Sequence, residues 1–335
     1  MKNWKLLTVL ITMMLLVLAA CNSKDEAETD KGDSADNKPA KESTGDASAY
    51  PITIPGSTSG EHTFADVTLD KKPEDVIVFD YGFLDTLDAL GVEVAGVAQK
   101  SVPEYLSKFT NTTYMDVGSL KEPDFEALSS MAPDIIFISG RQASAYEELS
   151  KIAPTVFVGV DNANFMESFK ANTELAGKIF GKEQEATDAI AAYEAKVEEI
   201  KAKTAASEEK ALIVLGNEDS LSAFGAGSRF GVIHDVFGVK AADENIKVDG
   251  HGDNISFEYV RDTNPDILFV VDRDAAVNPE GESGTKAAIE NEFLSATNAA
   301  KNDKIFYLDP QYWYLSGGGI QSETAKADDI LKAFN

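Results

Sequence analysis

A chain of 335 residues in which 57 acidic side chains face 30 basic ones carries a formal charge of −27, a balance that excludes nucleic acid and anionic lipid headgroups as electrostatic partners. A single cysteine excludes an internal disulfide, and the three histidines, His62, His234 and His251, lack the spacing of a zinc pair. The apolar content of 43% is ordinary for a globular protein.

At the amino terminus Lys2 and Lys5 precede an almost uninterrupted apolar run from Leu6 to Ala20, which ends in Leu18-Ala19-Ala20-Cys21. A spanning helix needs about 20 apolar residues; this run is shorter and closes in small residues, which predicts a cleaved signal peptide over 1–20. The alternative is an ordinary secretory leader with a chance cysteine. Residues 21–50 are mostly Asp, Glu, Lys, Ser, Ala, Gly and Thr with no aromatic before Tyr50, and they predict a disordered tether.

From residue 51 onward apolar runs recur regularly. Strand candidates are Val76 to Phe79, Val92 to Val97, Ile135 to Ile138, Thr155 to Val158, Leu212 to Leu215, Ile267 to Val271 and Ile305 to Leu308, with helical stretches between them. Such β-rich runs predict parallel strands covered on both faces. An ungapped internal repeat relates Phe125–Arg141 to Phe257–Arg273, with seven of seventeen positions identical. Each copy predicts a short helix, a Pro-Asp turn, a buried strand and then an arginine. These features predict an α/β fold of two Rossmann-like lobes, 51–181 and 207–335. Between them, 182–206 is alanine-rich and free of Gly and Pro, and Ala186, Ile190, Tyr193, Val197 and Ile200 mark one helical face. This stretch predicts a single long helix joining the lobes; the alternative is a surface helix within one lobe.

The chain has 26 lysines but only four arginines. Arg141 and Arg273 fall just past the carboxyl ends of the repeated strands, where ligands bind in open α/β sheets. Arg229 lies in the glycine-rich loop Gly225–Gly231, and only Arg261 is expected on a helix exterior. Guanidinium groups donate in a rigid fork to paired oxygens, so three of them at strand ends point to an oxygen-rich anion. The alternative is that they bridge the lobes or pair with the many acids. Lys121, in the loop Gly118-Ser119-Leu120-Lys121, is a further candidate cation. Tyr312, Trp313 and Tyr314, followed by Gly317-Gly318-Gly319, form an aromatic segment suited to stacking flat ligand groups or to core packing.

Leu-Ala-Ala-Cys21 resembles the bacterial lipobox, whose cysteine thiol is acylated. With the acidic tether, the repeated Pro-Asp-strand motif, the linking helix and Trp313-Tyr314-Leu315-Ser316-Gly317-Gly318-Gly319, it resembles the iron-siderophore solute-binding lipoproteins of ABC importers. Asp116 to Phe125, Ser228 to Val239 and Trp313 to Gly319 look most like the petrobactin-type, catecholate-binding members from Gram-positive bacteria. The resemblance implies a class III periplasmic-binding-protein-like fold and a monomer anchored through Cys21 on the outer face of the cytoplasmic membrane. It implies a basic pocket of Arg141, Arg229 and Arg273 around a ferric siderophore. It also implies a partner permease, homodimeric or heterodimeric with a cytoplasmic ATPase, docked by one acid per lobe. By position these acids are Glu258 and Glu147, with Glu148 fitting nearly as well. Because a siderophore fills the metal's coordination shell, no cofactor and no direct protein–iron bond is expected. A haem or cobalamin receptor of the same fold is the rival, with Tyr312, Tyr314 or His251 as axial ligand. An enzyme lacks a convincing nucleophile or cofactor fingerprint, since Gly225-Ala226-Gly227 followed by Gly231 departs from the dinucleotide motif.

Overall fold

In a computed structural model of the chain, residues 50–217, 220–278, 284–289 and 291–335 are described. The predicted signal peptide, Cys21 and the predicted tether up to residue 49 lie outside the described residues. None of the described helices is long and apolar enough to cross a membrane.

The first lobe is built on strands that carry apolar side chains on both faces. Val76–Val78 and Ile135–Ile138 are buried throughout, which requires cover on both sides. The sheet runs Met115–Asp116, Gly96–Val97, Val76–Val78, Ile135–Ile138, Thr155–Phe157, parallel at every pairing. The run expected from Val92 pairs as a strand only from Gly96, because Val92 N–H donates back to the Leu87 carbonyl at 2.8 Å and closes the preceding helix. In front of this sheet Ser57–Ser59 and His62–Phe64 form a hairpin, whose Phe64 stacks on Phe157 with ring centroids 4.4 Å apart.

The second sheet centres on Lys210–Asn217, which pairs in parallel with Ile267–Asp272; that strand in turn pairs with Ile305–Leu308. Contrary to the all-parallel expectation, the chain turns back at Asn217 into Ser220–Phe224, which pairs antiparallel and adds antiparallel Asp253–Ile255 at its edge. A direct Asn217↔Ser220 pairing leaves no room for a crossover helix, so the neighbour must run the other way.

The repeat is visible in three dimensions. Helices Phe125–Met131 and Phe257–Thr263 are capped by Asp124 and Ser256, and each ends in a left-handed residue, Ala132 (φ 51°) and Asn264 (φ 47°). The Pro-Asp carboxylates then tie each strand to its neighbour: Asp134 accepts from Glu74 and Asp75 N–H at 2.8 and 3.1 Å, and Asp266 accepts from Lys210 N–H at 3.1 Å. Asparagine tolerates the left-handed region, whereas alanine adopts it at a cost. Replacing Ala132 by Gly is therefore expected to stabilise the protein by about 0.5–1 kcal/mol in urea unfolding; a loss of stability would contradict this reading.

The linking helix is Glu183–Ala205. Its predicted face is the buried one, with Ala186 in the first-lobe core and Ile190, Tyr193, Val197 and Ile200 in the second. The preceding helix, Phe165–Phe180, already packs Phe165 and Phe169 on the second core and Ile179 and Phe180 on the first. A cut at 181 therefore divides the chain, not the packing.

Candidate functional site

Each arginine is delivered by its own local device. Arg141 follows Ile135–Ile138 through a capping box between Ser139 and Gln142. Arg273 opens the turn after Ile267–Asp272, where the Asp272 carboxylate accepts from Ala275 N–H at 3.0 Å. Arg229 leaves the strand Ser220–Phe224 through a loop whose Gly227 has φ 72°.

The three guanidiniums converge on Tyr314. Arg141 donates to its carbonyl at 3.0 Å, Arg229 donates to the same oxygen, and Arg273 Nε donates to its hydroxyl at 3.2 Å. Arg273 also donates to Asn217 at 2.6 Å. The carbonyl is available because Tyr314 lies in the last turn of a π-helical segment, Gln311–Leu315, and terminal carbonyls lack intrahelical partners. The Arg229 guanidinium also lies over the Tyr314 ring, 4.4 Å from its centroid. Burial, reinforced by the Arg141 charge, brings Arg229 down to about 10. Burial alone would raise the Tyr314 phenol, but the Arg273 hydrogen bond and the charges of Arg229, Arg273 and Arg141 together hold it below its ordinary value.

Two cavities meet at this cluster. One of about 490 Å³ lies between the lobes, with Arg141, Phe157 and Val160 on one side and Arg229, Val232 and His251 on the other. The second, about 310 Å³, belongs to the carboxyl-terminal lobe: Arg229, Arg273, Asn217, Asn254 and His251 line it together with apolar Leu215 and Phe224. Tyr314 lines both. Among the described residues no group of three or more His, Cys, Asp or Glu side chains is placed to hold a metal. The arrangement presents delocalised cations beside flat apolar walls, which is the chemistry of recognising an anion with aromatic parts.

Two expected residues are placed differently. Lys121 sits exposed on the turn closed by the Gly118↔Pro123 bridge and lines neither cavity, since the turn carries it outward. Trp313 reaches the cavity wall but is only 3% exposed; its indole N–H donates to Asp329 at 3.0 Å and its ring packs edge-on against Phe230. The ring belongs to the core, whereas Tyr314 lines both cavities. The Tyr312 ring packs on Tyr105 with centroids 4.7 Å apart.

Glu147 and Glu258 are both exposed in the first turn of a helix, while Glu148 is engaged with Lys151. The repeat, however, superposes Glu258 on Glu126, which is exposed one residue into the helix Phe125–Met131. The seven identities that revealed the repeat already contained this pair. Lys326, buried against Glu323 at 2.7 Å and reaching the larger cavity, had no sequence signal, because one lysine in an amphipathic helix resembles any other.

Residues 76–312 match the periplasmic binding protein family. The chain is 48% identical to the petrobactin-binding protein YclQ of Bacillus subtilis over 78% of this chain and 82% of that one. The YclQ crystal structure superposes with a TM-score of 0.80 at 44% identity, covering 85% of this chain and 99% of that chain. The ferric-anguibactin-binding protein FatB of Vibrio anguillarum is 37% identical over 82% of this chain and 86% of its own. The periplasmic catecholate-siderophore binding protein VctP of Vibrio cholerae superposes with a TM-score of 0.78 at 35% identity, covering 84% of this chain and 99% of that one.

Proposed function

The chain belongs to the periplasmic binding protein family, and from that premise we propose that it is the solute-binding component of an ABC importer, capturing an anionic ferric siderophore of the catecholate class and delivering it to the permease for iron uptake. The observation that carries this reading is the meeting of Arg141, Arg229 and Arg273, from strand ends and a strand-end loop of both lobes, at one residue, Tyr314, through its backbone carbonyl and its hydroxyl, beside a cavity of about 490 Å³. A ferric catecholate is strongly anionic, presents phenolate oxygens to forked donors and has flat rings. The relatives' names point the same way: petrobactin, ferric anguibactin and a catecholate siderophore are what those proteins are said to bind.

Net charge does not oppose this. At physiological salt the Debye length is about 8 Å, so distant surface carboxylates are screened while a buried guanidinium in contact is not. The reading extends to export and acylation at Cys21, where two or more acyl chains would hold the protein at the membrane. Relatives from Bacillus subtilis are named as lipoproteins of this kind.

Titration of the protein with ferric catecholate, hydroxamate and carboxylate siderophores and with haem tests the ligand class. Ferric catecholate is expected to bind most tightly, with its charge-transfer band retained. Tightest binding of haem, with a Soret band that shifts on replacing His251 or Tyr314, would overturn the assignment in favour of the haem reading.

For the permease contact we place the acidic pair at Glu126 and Glu258, which the repeat puts at equivalent positions on the two lobes; Glu147 is the alternative on the first lobe. Glu126→Ala with Glu258→Ala is expected to leave siderophore affinity unchanged while lowering cellular iron uptake at least tenfold. Unchanged uptake, with loss instead in Glu147→Ala, would return the role to Glu147.

A further inference from the structure

The run Gly317-Gly318-Gly319, whose first glycine lines the larger cavity, connects Tyr314 to the terminal helix, Ile320–Ala333. That helix begins at Gly319, which has no side chain to cap the first-turn N–H groups. The caps come from the other lobe. Asp85, fully buried in the helix Tyr81–Ala89, accepts from Gln321 N–H through Oδ1 and from Ser322 N–H through Oδ2, both at 2.7 Å. The Tyr105 hydroxyl bridges Asp85 Oδ2 at 3.1 Å and Ser316 Oγ at 2.7 Å. A side chain at Gly319 would collide with the Asp85 carboxylate, 2.4 Å from where its Cβ would stand.

We propose that Asp85 is a positioning residue for the ligand site: from the amino-terminal lobe its carboxylate holds the loop that carries Tyr314, and so fixes the point at which the arginines of the two lobes meet. The inference rests on the reading of the Tyr314 cavities as the ligand site, but the clamp itself is a property of the ligand-free protein.

Both carboxylate oxygens are acceptors, so protonation removes the negative charge that strengthens the bonds from the Gln321 and Ser322 N–H groups. Burial raises the Asp85 carboxyl to about 6, with the hydrogen bonds from Gln321, Ser322 and Tyr105 pulling the other way. The clamp therefore loosens as pH falls through about 6. The groups facing it are Tyr105 and Tyr312, both raised first by burial and so neutral there. Beside them are Asp88, which accepts from Gln321 Nε2 at 3.1 Å and pairs with Lys108, and the buried Glu323–Lys326 pair on the terminal helix. Asp80, at the start of the Asp85 helix, is raised by burial as well.

The test compares wild type, Asp85→Asn and Tyr105→Phe as full chains in detergent between pH 5 and 8, with ferric catecholate as probe. Taking the ratio of wild-type to variant affinity cancels the ligand's own titration. Asp85→Asn is expected to bind about tenfold more weakly at pH 7.5, the scale of a charge-assisted hydrogen bond, with the ratio falling toward one at pH 5, where wild type is protonated. Tyr105→Phe, which keeps the carboxylate, should show a smaller loss and serves if the Asn variant does not fold. In the ligand-free wild type the Gln321 and Ser322 amide proton shifts should titrate together near pH 6, and not in Asp85→Asn. A pH-independent ratio, or amides that do not titrate, would overturn the proposal. Amides that titrate as expected in a protein that binds no ferric catecholate would leave the clamp standing and remove only the ligand assignment.

Discussion

Replacing Arg229 by alanine is expected to weaken ferric catecholate binding by about ten- to a hundredfold, more than the same change at Arg141 or Arg273. Arg229 alone of the three lines both cavities, stacks on the Tyr314 ring and shares the Tyr314 carbonyl with Arg141. It is also buried enough to be brought down to about 10, so its charge acts in a poorly screened environment where a charge-assisted hydrogen bond contributes about 1.5–3 kcal/mol. Lysine should not rescue it, because a single ammonium cannot bridge two oxygens and stack in the same pose. Isothermal titration of Arg229→Ala and Arg229→Lys checks this. Equal affinities for wild type and Arg229→Ala would remove the site assignment.

How much of this was legible beforehand depended on whether a feature repeats or spans enough residues to make a pattern. The buried strands, the linking helix and the strand-end arginines were legible, because a run such as Ile135 to Ile138 or a face such as Ala186 to Ile200 is written in several consecutive positions. The antiparallel turn at Asn217 and the two-residue strand Met115–Asp116 were not, since neither carries a period. Within the site, the arginines could be placed because their strands fix them, whereas Lys121 depended on the direction of a turn. Trp313 illustrates another limit: sequence shows that an aromatic is present but not that Asp329 holds its ring into the core. The Asp85 contact joins residues more than 230 positions apart and left no local trace.

The other large effect should come from a position that touches no ligand. Gly82 lies in the first turn of the helix Tyr81–Ala89, and a Cβ there would stand 2.0 Å from the Gly317 carbonyl oxygen and 2.8 Å from its carbon. Both are backbone atoms, so the strain cannot be relieved by a rotamer; either the helix retreats or the Ser316–Gly319 loop lifts. Alanine gains about 1 kcal/mol of helix propensity over glycine, but overpacking of this kind costs about 1–3 kcal/mol and occasionally more, and lifting the loop would also release the Asp85 hydrogen bonds. Gly82→Ala is therefore expected to lose about 1–3 kcal/mol in urea unfolding and to weaken siderophore binding by displacing Tyr314. Gly317→Ala is the control for stability: it meets no atom within 4 Å and does not have a left-handed φ, so it should lie within about 0.5 kcal/mol of wild type. If Gly82→Ala proved as stable as Gly317→Ala, the contact that brings the two lobes together at this loop would not be the one described.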